Sequence, residues 1–486
     1  MSTGEGQDSS AGHGDRPRGD LDRGDFGEDF TWGVASAAFQ VEGAPDVDGK
    51  APSVWDDLVR RGRIPGPGAD RGIGFYDRYR EDQELIASLG FGANRISLSW
   101  PRLMGDGTGP WNPAGADFYD RVIDHMLEIG LEPWVTVHHW DMPLGLWRQG
   151  GWCRREIIEE FADFAERCAN HFGDRVKRWM VFNEPTSIVS HILIGQLQGR
   201  PGFHYDAMLR STHHINLAGA EAGRRMRAAL PADAEVGTTH VLSVVHPYEP
   251  TDERTARRKR AIEALSCDIH VDPAGGRGYP FDATKLLLPL RRHIRDGDLE
   301  AATFRYDFMG LQCYGPLTGL RPAPVIGPIG TRYIRTAEAR MFNSIGIPQD
   351  PDSMLWALRK YADHPAANRL VVTEGGFGGN DRLEPDGSGV RDDVRVWIHR
   401  RNLQAILAAR SEGIDVDGYF AWSYADNVEW FFGRGPRFGL VYVDYDDDDR
   451  RIPKDSARWF QRLLTGGEDD GSPHVGRSGG SITPLG

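Results

Sequence analysis

The chain alternates short apolar runs with longer amphipathic stretches over most of its length. Eight runs follow one another, reading "FTWGVASAAF", "ANRISLSW", "PWVTVHHW", "RWMVFNEP", "EVGTTHVLSVV", "DFMGLQCYG", "RLVVTEGG" and "DGYFAWSYAD". Their length and nearly continuous apolar character are typical of strands buried on both faces. The segments between them, such as "DFYDRVIDHMLEIG" and "REIIEEFADFAERCANHFG", have apolar residues every three or four positions and end on glycine, as amphipathic helices often do.

A strand followed by a helix, repeated eight times, predicts a parallel sheet covered by helices, and eight such units close into a barrel. We therefore predict an α/β protein with a single (β/α)8 TIM barrel whose long βα loops form a pocket. A doubly wound open sheet is the alternative. The loops "GDGTGPWNP" and "RPAPVIGPIG" are expected to wall the pocket. "GPGADRGIG" precedes a helix but follows no convincing strand, which indicates an ordinary loop more than a phosphate-binding one.

The two ends of the chain differ from the rest in composition. Residues 1–27 and 464–486 are rich in Gly, Ser and Asp and hold few apolar side chains. Ordering them would cost more conformational entropy than their burial returns, so both are predicted to be disordered tails. The barrel domain is then expected to span residues 28–463.

Composition and charge argue against several classes of binding partner. The net charge of −14 comes without a basic stripe, which argues against a nucleic-acid partner. No stretch reaches the roughly 18 apolar residues of a membrane span, and the N-terminus lacks the apolar core of a signal peptide, so no membrane partner is expected. The four cysteines lack the close spacing of a zinc or redox motif, which favours reduced thiols and a cytoplasmic location.

Several of the apolar runs turn polar where they end. In a barrel of this class, the carboxyl ends of the strands carry the active site. The relevant residues are Arg95, His139, Asn183, Glu184, Glu374 and Trp422. One Glu at a strand end is more often a structural hydrogen-bond partner, but two Glu with an arginine, amides and indole rings at one rim are typical of a site that holds a polar ligand against aromatic faces. Sugars fit that description.

Two carboxylates beside a glycosidic bond can divide the chemistry, because one donates a proton while the other attacks. Glu184 has no cationic neighbour in the sequence, so burial should raise its pKa and suit it to acid/base work. Glu374 precedes two glycines that leave room for a substrate, and Arg95 can stabilise its anion. This makes Glu374 the predicted nucleophile.

These residues resemble a known family. "FNEP", "TEGG", "HHWDMP", "FAWSYADNVEW" and "RFGLVYVDY" appear in the order typical of glycoside hydrolase family 1, and the similarity covers residues 28–463. The resemblance implies a (β/α)8 barrel that hydrolyses β-linked sugars with retained configuration, through a covalent glycosyl-enzyme and without metal or cofactor. It also implies a small-molecule glycoside as the partner.

The resemblance assigns roles to individual positions. It implies that Glu184 is the acid/base and Glu374 the nucleophile, with Arg95 and Tyr314 holding the nucleophile. The implied substrate-binding residues are Gln40, His139, Asn183, Gln312, Trp422 as the ring platform, Glu429, Trp430 and Phe438.

The sequence also departs from the family pattern. Gln312-Cys313-Tyr314 replaces Asn-Tyr-Tyr after the sixth strand, and Gly375 replaces the Asn that usually follows the nucleophile. "NSIGIPQDP" lacks the Trp that often lines the side of the leaving group. These differences predict an unusual leaving-group site.

Three functions remain in view. A retaining β-glycosidase, with β-glucosidase first, is the preferred hypothesis. A transglycosylase would pass the sugar to an alcohol other than water, and a non-catalytic barrel would only bind sugars. A phospho-glycosidase is disfavoured because the Glu429 carboxylate would repel a phosphate.

Two further features are not expected to form additional sites. His138-His139 and His213-His214 are adjacent pairs whose rings diverge on a strand or a helix, so no metal site is predicted. Glu42 is expected to be an ion-pair partner and not a third catalytic carboxylate.

Overall fold

Eight parallel strands close into one barrel in sequence order. A computed structural model of the chain describes residues 21–467 except 198, 200, 318–340, 351 and 388. The barrel strands are β1 Thr31–Ala35, β2 Ala93–Ser97, β3 Glu132–His138, β4 Arg178–Asn183, β5 Glu235–Val241, β6 Met309–Gln312, β7 Leu370–Gly375 and β8 Val416–Trp422. Each of the eight apolar runs supplies one strand. Because β1 pairs with β8, with Gly33 opposite Phe420, the predicted TIM barrel is confirmed and the open sheet is excluded.

Helices follow the strands and cover the barrel. They are α1 Ala38–Val41, α2 Val54–Arg60, α3 Phe75–Ser88, α4 Trp100–Met104, α5 Pro113–Glu128, α6 Leu144–Arg148, α7 Ile157–Phe172, α8 Pro185–Leu193, α9 Tyr205–Ala229, α10 Glu253–Glu263, α11 Ile269–Ala274, α12 Asp298–Ala301, α13 Ser353–Tyr361, α14 Asp393–Ser411 and α15 Asp455–Thr465. Among the residues that the structure describes, no helix combines the length and apolar character that crossing a bilayer requires.

The helix α7 illustrates why these segments fold as they do. Glu159 and Glu160 lie in its first turn and His171 in its last, which suits the helix dipole. Its apolar side chains recur at helical spacing, and Phe161 stacks on Phe182 of β4 with the ring centroids 4.4 Å apart. The amphipathic pattern therefore fixes which face of α7 meets the barrel.

Aromatic rings fill the interior of the barrel. The ring of Trp134 on β3 lies 4.9 Å from that of Phe420 on β8 and 5.3 Å from that of Phe308, next to β6. Glycines make room for these rings, because a Cβ at Gly33 would come within 2.3 Å of Phe420, and one at Gly237 within 2.5 Å of Phe308. The interior of the barrel is thus a packed core.

A hairpin that the sequence pattern did not predict follows β8. It consists of β9 Val441–Asp444 and β10 Arg450–Pro453, which pair antiparallel across the acidic turn "YDDDD". The main-chain N–H of Val441 donates to Tyr424 O, so the hairpin is tied to the segment that leaves β8. It therefore closes the long loop that carries Glu429.

The folded region starts earlier than the predicted boundary at residue 28. Residues Arg23–Phe26 form a 3-10 turn capped by Asp22, and Phe26 is buried against Phe30 and Trp32. The capped turn and the buried phenylalanine hold this segment on the barrel, and Leu21 also packs against the core. At the other end, α15 runs to Thr465 and buries Leu464, so the domain also extends past residue 463. Residues 1–20 and 468–486 lie outside the described residues.

One of the two loops expected to wall the pocket lies elsewhere. "GDGTGPWNP" packs towards the first βα loop, where Asn112 Nδ2 donates to Asp48 O, and its residues do not line the cavity. The expectation was wrong because a helix, α4, separates this loop from the end of β2. The other loop, "RPAPVIGPIG", lies outside the described residues. Glu42 forms the expected ion pair, with Arg102 at 2.9 Å.

Candidate active site

A cavity of about 380 Å³ opens at the carboxyl ends of the barrel strands. Nine of the twelve predicted site residues line it, namely His139, Asn183, Glu184, Tyr314, Glu374, Trp422, Glu429, Trp430 and Phe438. The other three, Arg95, Gln40 and Gln312, are fully buried behind the wall, and each is hydrogen-bonded to a lining residue. The structure therefore brings all twelve positions to one site.

Glu374, near the end of β7, accepts hydrogen bonds from a guanidinium and from a phenol. Arg95 Nη1 donates to Oε1 at 2.5 Å, and the Tyr314 hydroxyl donates to Oε2 at 2.6 Å. Burial raises the pKa of this carboxyl, while the charge of Arg95 and the hydroxyl of Tyr314 oppose the rise. Since an arginine stays protonated in proteins, each oxygen of Glu374 has a donor suited to the anion.

Glu184 follows β4 as the N-cap of α8 and has a left-handed backbone, with φ of +44°. Its N–H donates to Thr239 O on β5 at 3.0 Å, which fixes the main chain. Its carboxyl accepts a hydrogen bond from Ser187 Oγ at 2.6 Å. Burial, and then the charge of Glu374, raise the pKa of Glu184 to about 8, against the opposing effects of Ser187 and Arg95. This carboxyl is therefore protonated at neutral pH.

Asn183 connects the residues around the two glutamates. Its Oδ1 accepts from Arg95 Nη2 at 2.6 Å and from Gln312 Nε2 at 2.7 Å, and its Nδ2 contacts His139 Nε2 at 2.9 Å. With Nε2 accepting, the proton of a neutral His139 is on Nδ1. Burial lowers the pKa of His139 well below its ordinary value, so the ring is neutral and Nδ1 is a donor.

Three buried polar atoms around the cavity have no partner among the described residues. They are Gln40 Oε1, His139 Nδ1 and Gln312 Oε1. Gln40 Nε2, by contrast, donates to Asn427 and Val428 and more weakly to Glu429. Unpaired buried polar atoms are rare and costly in folded proteins, and of these three residues His139 lines the cavity, so its Nδ1–H is a donor suited to a ligand with hydroxyl groups.

The comparison with known proteins agrees with this geometry. The model of glycosyl hydrolase family 1 matches residues 22–468.

The chain belongs to glycosyl hydrolase family 1.

Relatives and solved structures of the family align along nearly their whole length. β-Glucosidase A of Thermotoga maritima is 33% identical over 90% of this chain and 97% of its own, and the bifunctional β-D-glucosidase/β-D-fucosidase of Bifidobacterium breve is 34% identical over 90% and 98%. The crystal structure of a psychrophilic β-glucosidase from Micrococcus antarcticus superposes with a TM-score of 0.81 at 33% identity, covering 90% of this chain and 97% of that one. The chain is therefore a glycosidase.

Aromatic rings form one wall of the cavity in this family 1 glycosidase. Trp422 stacks on the His139 ring at 5.7 Å, and Trp430 packs on Trp140 at 4.4 Å. The indole N–H of Trp140 donates to Asn183 O at 2.9 Å. A flat apolar face next to hydrogen-bonding groups suits the ring of a sugar.

Glu429 is a third buried carboxyl in this cavity. Burial, followed by the charges of Glu374 and Glu184, raises its pKa to about 8, while Gln40 opposes the rise. In the free enzyme, three carboxyls therefore share one cavity, and the charge of Glu374 disfavours ionisation of both Glu184 and Glu429.

Sequence reasoning missed one face of α8. Ser187, Ser190, His191 and Ile194 line the cavity beyond Glu184. Their spacing of three, four and seven residues from Ser187 is the helical period, so a helix assigned directly after "FNEP" would have pointed to them. Ser243, Ser266 and Cys267 also line the cavity and carry no comparable sequence signal; Ser266 O accepts a hydrogen bond from Thr186 Oγ1 of α8.

Two departures from the family pattern have a structural explanation. Ile345 and Ile347 of "NSIGIPQDP" line the cavity and give it an aliphatic surface there. At Gly375, a Cβ would come within 2.7 Å of the Tyr419 hydroxyl, which is held by His399 Nδ1 at 2.7 Å. A buried tyrosine thus occupies the space where an Asn side chain would lie.

The two histidines of each adjacent pair have different surroundings. His138 is buried among Trp100, Trp152 and Phe161, facing away from His139, and burial lowers its pKa to about 3. His213 contacts Tyr279 and Asp298. No group of three His, Cys, Asp or Glu residues within the described ranges is arranged to hold a metal ion.

Proposed function

We propose that this glycosidase is a retaining β-glucosidase that hydrolyses small β-glucosides, with Glu184 as acid/base and Glu374 as nucleophile. The observation that carries the proposal is the unequal environment of two carboxyls in one cavity. Glu374 contacts a buried guanidinium, whereas Glu184 contacts a serine hydroxyl and has a pKa raised to about 8. One carboxyl is thereby suited to attack and the other to donate a proton.

In the first half-reaction, Glu374 attacks the anomeric carbon as Glu184 protonates the departing oxygen. The anomeric C–O bond to the leaving group breaks, and a covalent glycosyl-Glu374 ester forms. Arg95 and Tyr314 hold the attacking carboxylate, and Tyr314 keeps its proton because burial and Glu374 raise its pKa well above the ordinary value.

In the second half-reaction, Glu184 is ionised and removes a proton from water, which displaces the sugar from Glu374. Formation of the ester has removed the negative charge of Glu374, one of the causes that raise the pKa of Glu184. The same carboxyl can therefore act first as acid and then as base, and two displacements retain the configuration.

Glucose is the preferred sugar because the names of the relatives in Thermotoga maritima and Micrococcus antarcticus specify β-glucosidases. A phosphorylated sugar is disfavoured, since no described residue lining the cavity is a Lys or Arg and Glu429 adds a carboxyl. The four unpaired cysteines support a reducing, cytoplasmic compartment as the place of action.

The test uses Glu374→Gly. This variant should lose hydrolysis of p-nitrophenyl β-glucoside but couple α-glucosyl fluoride to an acceptor sugar, since the cavity left by the carboxylate admits the opposite anomer. For the wild type, proton NMR of early product should show β-glucose before mutarotation.

Three outcomes would contradict parts of the proposal. Unchanged hydrolysis by Glu374→Gly would reject the nucleophile, and early α-glucose would reject retention. Sugar transfer to an added alcohol in preference to water would favour a transglycosylase, and binding of glucosides without turnover would favour a sugar-binding barrel.

A further inference from the structure

We propose that Ser187 is a positioning residue for the acid/base, which holds the Glu184 carboxyl towards the cavity and favours its ionised form in the second half-reaction. This inference rests on the function proposed above. Ser187 does not touch the reacting atoms in this role; it acts through Glu184.

The contact is short and local. Ser187 Oγ donates to Glu184 Oε2 at 2.6 Å, and both residues line the same cavity. Of the side chains that the structure describes, Ser187 is the one that donates a hydrogen bond to this carboxyl. A hydroxyl that donates to a carboxylate stabilises the anion.

The position of Ser187 on α8 explains why it reaches the carboxyl. Glu184 is the N-cap and Ser187 the third residue of the helix. An N-cap side chain commonly accepts from a backbone N–H of the first turn, but within the described part of the chain the Glu184 carboxyl makes no such bond. Instead the Ser187 N–H donates to the Glu184 main-chain oxygen at 2.9 Å. The main-chain hydrogen bond closes the first turn of α8, so the Glu184 carboxyl is free to accept the hydrogen bond from the Ser187 hydroxyl.

The other groups that face Glu184 do not supply this contact. Arg95 on β2 lowers the pKa of Glu184 through its charge, but its nitrogens bond Glu374, Asn183 and Thr136. The remaining ionisable neighbours are acidic or neutral: Glu374 on β7, Glu429 after β8, Tyr314 after β6, His139 after β3, and His191 on α8, whose pKa burial lowers to about 4. Ser187 is therefore the group placed to stabilise the anion by direct contact.

The direction of the effect follows from the donor. Without the hydroxyl, the ionised form of Glu184 loses a hydrogen bond, so its pKa rises in both the free enzyme and the glycosyl-enzyme. The acid then stays protonated to higher pH, while the base forms only at higher pH. The alkaline limb of kcat/KM, which reports the acid in the free enzyme, and the acidic limb of kcat, which reports the base in the glycosyl-enzyme, should therefore both move to higher pH.

The experiment compares wild type with Ser187→Ala, using p-nitrophenyl β-glucoside for kcat/KM and 2,4-dinitrophenyl β-glucoside for kcat. The alkaline limb of kcat/KM and the acidic limb of kcat should each shift upward by about one pH unit or less. Ser187→Thr, which keeps the hydroxyl, should restore both limbs. A merely structural role for Ser187 would lower the rates without moving either limb.

Ser190→Ala is the matched control, because Ser190 lies on the same helix and also lines the cavity. The pH values of both limbs should be the same in Ser190→Ala as in wild type, even if KM changes. Limbs that do not move in Ser187→Ala, or that move equally in Ser190→Ala, would overturn the inference.

A readout independent of turnover separates this inference from the proposed function. With glutamate labelled by ¹³C at the side-chain carboxyl, the NMR signal that disappears in Glu184→Gln reports the titration of Glu184. Its pKa should be higher in Ser187→Ala than in wild type. If the signal shifts but the enzyme has no glucosidase activity, the contact is right and the proposed function fails; if activity is present and the signal does not shift, the inference about Ser187 fails.

Discussion

Glu184 and Glu374 lie in the same cavity and differ in the groups that touch them. A buried guanidinium and a phenol bind Glu374, and a serine hydroxyl binds Glu184. Identical side chains can therefore carry opposite protonation states at the same pH, since environment and not residue type sets each pKa.

This difference makes the Glu184→Ala variant selective in its effect. Glucosides with a poor leaving group need the proton and should lose roughly 100-fold or more in kcat/KM, whereas dinitrophenyl glucoside should lose far less. In wild type, kcat/KM should fall as pH rises through about 8, because Glu184 then loses its proton; in the variant that alkaline limb should vanish. Steady-state kinetics across pH measures both, and equal losses for the two substrates would count against an acid role.

Arg95 is the corresponding test for Glu374. Arg95→Met leaves a buried carboxylate without its cation, so we expect stability to drop by about 3–5 kcal/mol and turnover to fall sharply. The double variant Arg95→Met/Glu374→Gln removes both charges and should recover much of the stability but no activity. Urea unfolding of the two variants checks this, and additive losses would show that the two groups are not coupled.

The sequence predicted some residues of the site correctly and missed others. Strand ends that turn polar pointed to Asn183, Glu184 and Glu374, because parallel strands place their carboxyl ends at one rim. Gln40 was expected among the sugar contacts, and in the structure it lies behind Glu429. The strand ends did not single out Ser187, since a serine near a helix start has an ordinary structural explanation until a helix is assigned directly after Glu184.

At the scale of secondary structure, the segment after the nucleophile depends on a glycine. Gly375 ends β7 directly against Tyr419 of β8, and a Cβ added to this glycine would lie 2.7 Å from the tyrosine hydroxyl oxygen. Restoring the usual family residue with Gly375→Asn should therefore destabilise the protein by about 1–3 kcal/mol through overpacking.

The partner substitution provides the control. Tyr419→Phe removes the hydroxyl and should return part of the lost stability in the double variant Gly375→Asn/Tyr419→Phe. Calorimetric melting of the two single variants and the double variant gives the coupling free energy between positions 375 and 419. A Gly375→Asn protein as stable as wild type would show that β7 and β8 can separate at this point.

Elements with a long, regular pattern were predicted correctly, and those set by tertiary contacts were not. The eight strands and the amphipathic helices α5 and α7 follow from periodicity alone. The sequence pattern did not predict the hairpin β9–β10, because its strands are short and its turn is acidic. The loop at residues 105–113 was misplaced because the intervening helix α4 redirects the chain, which a count of loop length cannot reveal.

At the scale of the whole molecule, a buried network of ion pairs joins the last strands to the C-terminal helix. Lys454, just before α15, is fully buried and donates to Asp381 at 2.5 Å and to Asp426 at 2.7 Å. Arg395 of α14 also binds Asp381, at 2.6 Å. The segments after β7 and β8, which frame the cavity, are thus held by charges contributed from outside the barrel.

Removing that cation should affect the whole fold. Lys454→Met removes a buried cation from two buried carboxylates, each of which keeps one arginine partner, Arg395 for Asp381 and Arg437 for Asp426, so we expect a loss of about 2–3 kcal/mol in unfolding free energy. Lys177→Met is the control, because its ion pair with Asp233 is largely exposed to solvent and should contribute far less to stability than the buried network. Urea unfolding of both variants measures the difference, and similar losses would show that the buried network is no stronger than a surface pair.

The rings of Trp134, Phe308 and Phe420, which fill the interior of the barrel, affect the order in which substrate and products enter and leave the cavity. Because these rings fill the interior of the barrel, the described residues leave the carboxyl ends of the strands as the route by which substrate enters and both products leave. On the mechanism proposed above, the alcohol leaves the cavity before water reaches the sugar bound to Glu374, and the free sugar leaves last. Under the same proposal, an alcohol that stays at the opening of the cavity would prolong the covalent intermediate and compete with water for the sugar bound to Glu374.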